Sequence, residues 1–450
     1  MRRLSVKLGT MKAYRASLLW FDAAAAQPTP RYEADGLLVV GPAGEAPGAV
    51  RRVVAVGAYR ELAQRYPGVA VEHFPGRLIA PGFIDLHVHY PQTDVIGSPA
   101  EGLLPWLEHY TFPHEARFAD PAYADEVAEV FLDELLRHGV TTALTFATSH
   151  PGSVDALLGR ARTRGLRLVA GKVLQDRHSP DGVRDDTEQG LIDTEALIGR
   201  WHGADRLGYA ITPRFAPSCS DAQMRGAGEL AACHPSVWIQ SHVAENLDEV
   251  RWVHELYPHA RSYLGVYEGF GLLRERAVYA HCIYLDDTDR ALMRDTGAAA
   301  AVSPTSNLFL GSGFFDYDRA RQSGMRYGLA SDVGGGTSFN PFHTMLAAYY
   351  VGRASVNGGG THKQGVSLAP SELWWQHTAG AAHAMGLDGV VGNLAPGCEA
   401  DWVLLNPQRL PLLARRLGQA ETLEEYLFAW VVLADDRVVE RVSIAGAPVA

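Results

Sequence analysis

From about residue 78 to residue 336, short apolar runs alternate with stretches of helical periodicity. A run that stays apolar without alternating reads as a strand covered on both faces, as in a parallel sheet. In order the runs are Leu78 to His89, Thr141 to Thr148, Leu166 to Val173, Tyr209 to Phe215, Val237 to His242, Ala277 to Ile283, Ala298 to Ser303 and Arg326 to Ser331, eight in all. Between the first two, Asp120 suits an N-cap and Pro121 the first helical position. Ala124, Val127, Phe131 and Leu135 form an apolar stripe, and Gly139 suits the residue after the helix. Eight such units in one unbroken block predict an α/β fold, a closed (β/α)8 TIM-like barrel. The alternative, a doubly wound open sheet, normally uses fewer strands.

The flanks have a different texture. Short β-like runs at Ala13 to Phe21, Gly36 to Val40, Ala49 to Val56, Asp401 to Leu405 and Val438 to Ile444 are separated by glycines and prolines. Two β-rich flanks around a barrel predict a small β-sandwich domain formed from both chain ends. The division is then 1–77 and 390–450 for that domain and 78–389 for the barrel. The glycine-rich run Asn357 to Thr361 reads as a loop.

Composition narrows the partners. A net charge of −11 over 450 residues argues against binding nucleic acid or an acidic membrane by bulk electrostatics. No apolar run reaches the roughly 18 residues a membrane span needs. The basic start, Met1 to Lys7, lacks the apolar core of a signal peptide, and Met11 is a second candidate start. Cys219, Cys233, Cys282 and Cys398 lie far apart with no CxxC, so neither a disulfide framework nor a thiolate zinc site is indicated, and a cytoplasmic location is expected.

The chemistry lies at the strand ends. His87 and His89 are spaced i, i+2, which on a strand puts both on one face. His242 ends the fifth run, His281 lies in the sixth, and Asp332 follows the eighth. Barrels of this kind carry their functional groups at the C-terminal ends of strands. Alone, each of these residues is more simply a core histidine, a solvated pair or a helix cap. Their recurrence at four strand ends points to a nitrogen and oxygen ligand set suited to Zn²⁺, with Fe²⁺ also compatible. Whether His281 coordinates directly is left open by spacing. His109, His114 and His150 also fall near the rim, but no ligand spacing recruits them and they read as structural or lid residues.

Several longer strings carry a resemblance. The pattern Pro81-Gly82-Phe83-Ile84-Asp85-Leu86-His87-Val88-His89, followed by His242, His281 and Ser331-Asp332, resembles the metal-dependent amidohydrolase superfamily. Within it, His89-Tyr90-Pro91-Gln92, Tyr110-Thr111-Phe112-Pro113, Thr212-Pro213-Arg214-Phe215, Ser241-His242-Val243-Ala244-Glu245-Asn246 and Pro304-Thr305-Ser306-Asn307-Leu308 are similar to the guanine deaminase family over roughly residues 75–405. The string departs at Ser303, where that family would carry cysteine.

The resemblance implies one metal ion held by His87, His89, His242 and Asp332, with His281 in or beside its coordination shell. Two-metal members use a lysine on strand four, where this chain has Thr212-Pro213-Arg214. It also implies hydrolysis of guanine, with Asp332 and Glu245 as the proton-transfer groups and His281 supporting them. Recognition falls to Gln92, Arg214 and Phe215, together with His242 and Glu245 around the substrate. Core packing for Phe215 and an acidic partner for Arg214 are the simpler readings of those residues. Groups built for a purine carbonyl reject adenine by on the order of 10⁴-fold or more. A homodimer follows from the resemblance alone. The competitors are a related aminohydrolase acting on 8-oxoguanine, cytosine or a triazine, and a metal-free scaffold. A cytidine-deaminase-type zinc site is disfavoured by the lack of CxxC.

Overall fold

A computed structural model describes residues 11–22, 29–44, 50–355 and 365–449, so Met1 to Lys7 and the Asn357 to Thr361 loop lie outside the described residues. Among the described residues, four strands precede the barrel: β1 (Lys12–Phe21), β2 (Pro30–Pro42), β3 (Arg51–Ala58) and β4 (Val71–Pro81). The barrel strands are β5 (Phe83–His89), β6 (Val140–Phe146), β7 (Arg167–Gly171) with its short continuation β8 (Val173–Leu174), β9 (Gly208–Pro213), β10 (Trp238–Val243), β11 (Ala277–His281), β12 (Ala299–Val302) and β13 (Arg326–Leu329). They pair in parallel and in sequence order, as the eight apolar runs predict. The helix Pro121–Arg137 starts and stops where expected. The Asp120 side chain accepts from Ala122 N at 2.9 Å, and Gly139 leaves it at φ +78°, a left-handed conformation that favours glycine.

The barrel closes just past β13 rather than through it. Asp332 N donates to His87 O at 2.8 Å, His89 N donates to Val333 O at 2.8 Å, and Ser331 N donates to the Asp85 carboxylate at 3.0 Å. Inside, Leu86, Leu144, Val169, Ala210, Val278 and Ala301 form an apolar plug.

Two features differ from the reading of the sequence. The run Leu78 to His89 is not one strand. Leu78–Pro81 belongs to β4, which pairs with β1 and, antiparallel, with β14 (Trp402–Leu405) from the far end of the chain. Gly82 makes the crossing into the barrel, and a Cβ there would meet Thr141 Oγ1 at 2.2 Å. The C-terminal flank is also not purely β. Before β15 (Val439–Ile444) and β16 (Ala447–Val449) come the helices Pro411–Leu417 and Leu423–Leu433, whose Leu427 and Trp430 pack into the main barrel core.

Both chain ends do share one small domain, as expected. Its seven strands run β16-β15-β14-β4-β1-β2-β3, and the sheet curls over its own inner face. Val53 N reaches Cys398 O at 2.8 Å and Ala400 N reaches Arg51 O at 2.9 Å, enclosing Tyr14, Leu38, Ile79 and Trp402.

Buried charge joins this domain to the barrel. Arg206, just before β9, bonds Gly165 O at 2.8 Å and the carboxylates of Glu399 and Asp401, while Arg167 reaches Glu399 at 2.7 Å. Removing one member of a buried pair strands the other charge. Arg206→Met is expected to lower unfolding free energy by about 3 kcal/mol, read by urea denaturation against the parent.

Candidate active site

An irregularity in β5 aims the histidine pair. Its pairing with β6 shifts register between Asp85 and Val88. Ile84 and Leu86 lie in the inner plug, yet Val88, of the same parity, lies in the outer core between barrel and helices. The phase has reversed, which is what a bulge does, and His87 and His89 are thereby turned inward at the rim. Asp85 fixes the distortion, because its buried carboxylate accepts from His87 N at 3.2 Å as well as from Ser331 N.

The ligand atoms converge. His89 Nε2 lies 3.1 Å from His87 Nε2 and 3.2 Å from His242 Nε2. Asp332 Oδ1 lies 3.0 Å from His87 Nε2 and 3.3 Å from His89 Nε2. These four residues offer ligand atoms all within 4.8 Å of one another. Asp332 reaches its place from a left-handed backbone (φ +53°), and His281 from one at φ +72°. Strain of this kind persists only where surrounding structure over-determines it.

The donor chemistry fits a divalent cation. His242 Nδ1 lies 2.6 Å from Arg214 O, a pure acceptor, so Nδ1 carries the proton and Nε2 turns its lone pair to the centre. The Phe146 ring packs 4.6–5.0 Å from the rings of His89, His242 and His87, which holds their orientation. Burial pushes His89 down to about 4, against the pull of Asp332, and drives His242 well below its ordinary value. Neutral imidazoles are the metal-binding form. Burial works to raise Asp332, but the facing His87, His89 and His281 imidazoles hold it well below the usual carboxylate range. Three nitrogens and one carboxylate oxygen make a ligand set suited to zinc.

His281 stands at the edge of this group. Its Nε2 lies 3.8 Å from Asp332 Oδ2 and 3.3 Å from Glu245 Oε2, while Nδ1 faces Asn307 Oδ1 at 2.8 Å. Glu245, two residues beyond β10, is buried and accepts from Ser312 Oγ at 2.9 Å. Burial first, and the Asp332 charge second, push its carboxyl up to about 8. Two carboxyls at one centre are thus driven in opposite directions, the pattern that separates an acid from a base.

The three expected recognition residues line one cavity, together with Leu103, Trp106 and Leu107 from the segment after β5. Phe215 is not barrel core, and its ring stands 6.0 Å from that of Trp252. Arg214 does have an acidic partner, Glu115, at 2.6 Å. The other rim histidines stay apart: His150 contacts Thr148 Oγ1 at 3.2 Å, His114 contacts Tyr123 at 2.6 Å, and His109 packs on Tyr110. The strand-four position holds no lysine. Lys172, after β7, is buried in a pair with Asp185 at 2.6 Å. Glu115, Phe146, Asn307, Ser312 and Glu249 were not singled out from sequence. Two signals existed among them: the capping pattern at Asn246 with Glu249 three residues on, and the string Pro304 to Leu308 that contains Asn307.

With this geometry in hand, the match to known proteins is specific. The amidohydrolase family model matches residues 78–449. The chain belongs to that family, whose members are metal-dependent hydrolases. It is 42% identical to the guanine deaminase of Escherichia coli (strain K12) over 378 residues, 84% of each chain. Its fold matches the solved structure of E. coli guanine deaminase with a TM-score of 0.90 and 39% identity, covering 98% of this chain and 99% of that one. A guanine deaminase from C. acetobutylicum, solved with guanine in its active site, matches with a TM-score of 0.88 and 28% identity over 98% of this chain and 100% of that one.

One buried carboxyl that shifts lies outside the four-residue cluster. Glu249 accepts from Tyr263 OH at 2.6 Å and from Glu245 N at 2.9 Å, and burial, then the Glu245 charge, raise it from 4.5 to about 7. A folded-state value above the unfolded one stabilises the protonated form, so that contribution is complete below pH 4.5 and is lost as pH rises through about 7. The stability difference between the parent and Glu249→Gln is expected to shift in favour of the variant across that window, measured by denaturant unfolding at a series of pH values.

Proposed function

We propose that the protein is a guanine deaminase, converting guanine and water to xanthine and ammonia with one zinc ion held by His87, His89, His242 and Asp332. The observation that carries this is the joining of a three-imidazole, one-carboxylate cluster to a cavity containing Gln92, Arg214, Phe215 and Glu245. The relatives in E. coli and C. acetobutylicum that bear the same activity in their names support the choice of substrate.

A divalent ion in such a site lowers the pKa of water towards neutrality and so makes a nucleophile available. The protein's own groups then divide the proton transfers. Asp332, held as carboxylate, takes the proton released on attack and delivers it to the departing amine. Glu245, pushed up to about 8, carries a proton near neutral pH and donates it to the ring nitrogen beside the reacting carbon. His281, oriented by Asn307, sits between these two carboxyls and supports both. Phe215 offers a face for the purine, and Arg214 offers only donors, which suits a carbonyl oxygen. Trp106, Leu103 and Leu107 give the cavity an apolar wall.

A homodimer and a cytoplasmic setting complete the proposal. The free cysteines, three of them buried, support a reducing compartment. No described helix is long and apolar enough to cross a membrane.

The decisive experiment follows guanine conversion while zinc is measured on the same sample. Equimolar xanthine and ammonia are expected, and a zinc-loaded protein inert towards guanine would overturn the proposal. His87→Ala and Asp332→Asn are expected to lose both metal and turnover. Glu245→Gln is expected to retain zinc but lose about 10³-fold in kcat, and unimpaired turnover in that variant would remove Glu245 from the mechanism.

A further inference from the structure

Behind the recognition residues lies a carboxylate with three donors aimed at it. Glu115 ends the short helix Phe112–Glu115 and is fully buried. Its Oε2 accepts from Arg214 Nη1 at 2.6 Å, and its Oε1 accepts from Arg214 Nη2 at 3.1 Å and from Gln92 Nε2 at 3.1 Å. The Arg214 guanidinium also lies 4.9 Å over the Phe112 ring, three residues before Glu115. Gln92 is held from its other end, where Oε1 accepts from Gly334 N at 3.2 Å.

These contacts fix polarity as well as position. A carboxylate only accepts and a backbone N–H only donates, so the two partners of Gln92 require the same amide orientation independently. Two of the five Arg214 donors are committed to Glu115, and none of the remaining three can be turned into an acceptor. The pair also cancels the Arg214 charge inside the wall. A cation alone at that point would favour an anionic ligand; the neutralised pair suits an uncharged carbonyl.

We infer that Glu115 is a positioning and specificity-determining residue, which acts through Arg214 and Gln92 to make the site accept a purine carbonyl oxygen and reject an amino group in its place. The inference rests on the guanine reading above and names the residue that sets its selectivity. Replacing the carboxylate by an amide puts an NH₂ against Arg214 in one orientation and against both Arg214 and Gln92 in the other. To pair with a donor from residue 115, Gln92 must flip, and its own NH₂ then opposes Gly334 N–H. The recognition wall loses its single arrangement, and the penalty for a mismatched substrate falls with it.

The test uses 2,6-diaminopurine, which keeps the 2-amino leaving group of guanine but carries an amino group where guanine has its carbonyl. The zinc-loaded parent, Glu115→Gln, Gln92→Leu and the double variant are assayed on both purines. In Glu115→Gln the ratio of kcat/KM for guanine over diaminopurine is expected to fall at least tenfold, chiefly through KM for guanine, with zinc content unchanged. The double variant is expected to lose less selectivity than the two single losses combined, because Glu115 acts in part through Gln92. Glu115→Asp keeps a buried carboxylate opposite Arg214 and serves if the amide variant does not fold; it is expected to lose selectivity to a smaller extent. A folded, zinc-loaded Glu115 variant with an unchanged ratio, or with both purines slowed equally, would overturn the inference. A parent inert towards guanine would instead overturn the functional reading, and the inference with it.

Discussion

The closure of the barrel and the assembly of its active site are one set of hydrogen bonds. Asp332 donates its backbone N–H to His87 O, and His89 donates its own to Val333 O, so the last strand is sewn to the first at the residues whose side chains meet in the site. Asp85 ties both sides of the seam through backbone N–H groups of His87 and Ser331. A ligand cluster built on separate loops would have to be ordered at a cost in conformational entropy. Here the parallel ladder has already met that cost, and the four donors are held close because the barrel is shut.

From that seam the electrostatics follow. Excluding water makes each neighbouring charge count for more. Burial lifts Glu245 to about 8 while the facing imidazoles hold Asp332 down, although the two share His281 as a neighbour. Arg214 links this centre to the recognition wall. Its carbonyl sets the tautomer of His242, and its guanidinium, held by Glu115, presents donors to the cavity. A displacement of that one residue would disturb both the His242 imidazole and the Glu115 carboxylate.

The curled sheet is attached to the barrel at the opposite level of the structure. β4 runs into Gly82 and directly on into β5, and β14 from the other chain end pairs beside it. The buried Arg206, Arg167, Glu399 and Asp401 group secures the junction. The first barrel strand is therefore anchored just before the histidine pair it delivers.

The eight apolar runs and the capped helix Pro121–Arg137 were legible because local periodicity and capping chemistry depend on neighbours in sequence. The histidine pair was legible for the same reason, since a strand repeats every two residues. The unbroken, largely apolar run Leu78 to His89 hid its division between two sheets, because a change of partner leaves no mark on hydrophobicity. The bulge that turns His87 and His89 inward, the left-handed backbone at Asp332 and the opposed shifts of two carboxyls arise only when distant segments pack. Glu115 lies 99 residues from Arg214 and 23 from Gln92, and although the string Tyr110 to Pro113 ends just before it, no local pattern tells it apart from a solvated glutamate. By itself the sequence determined which side chains the strands carry to the rim. Tertiary structure decided where those side chains point and what charge each one bears, because both depend on burial and on partners that only the closed barrel brings together.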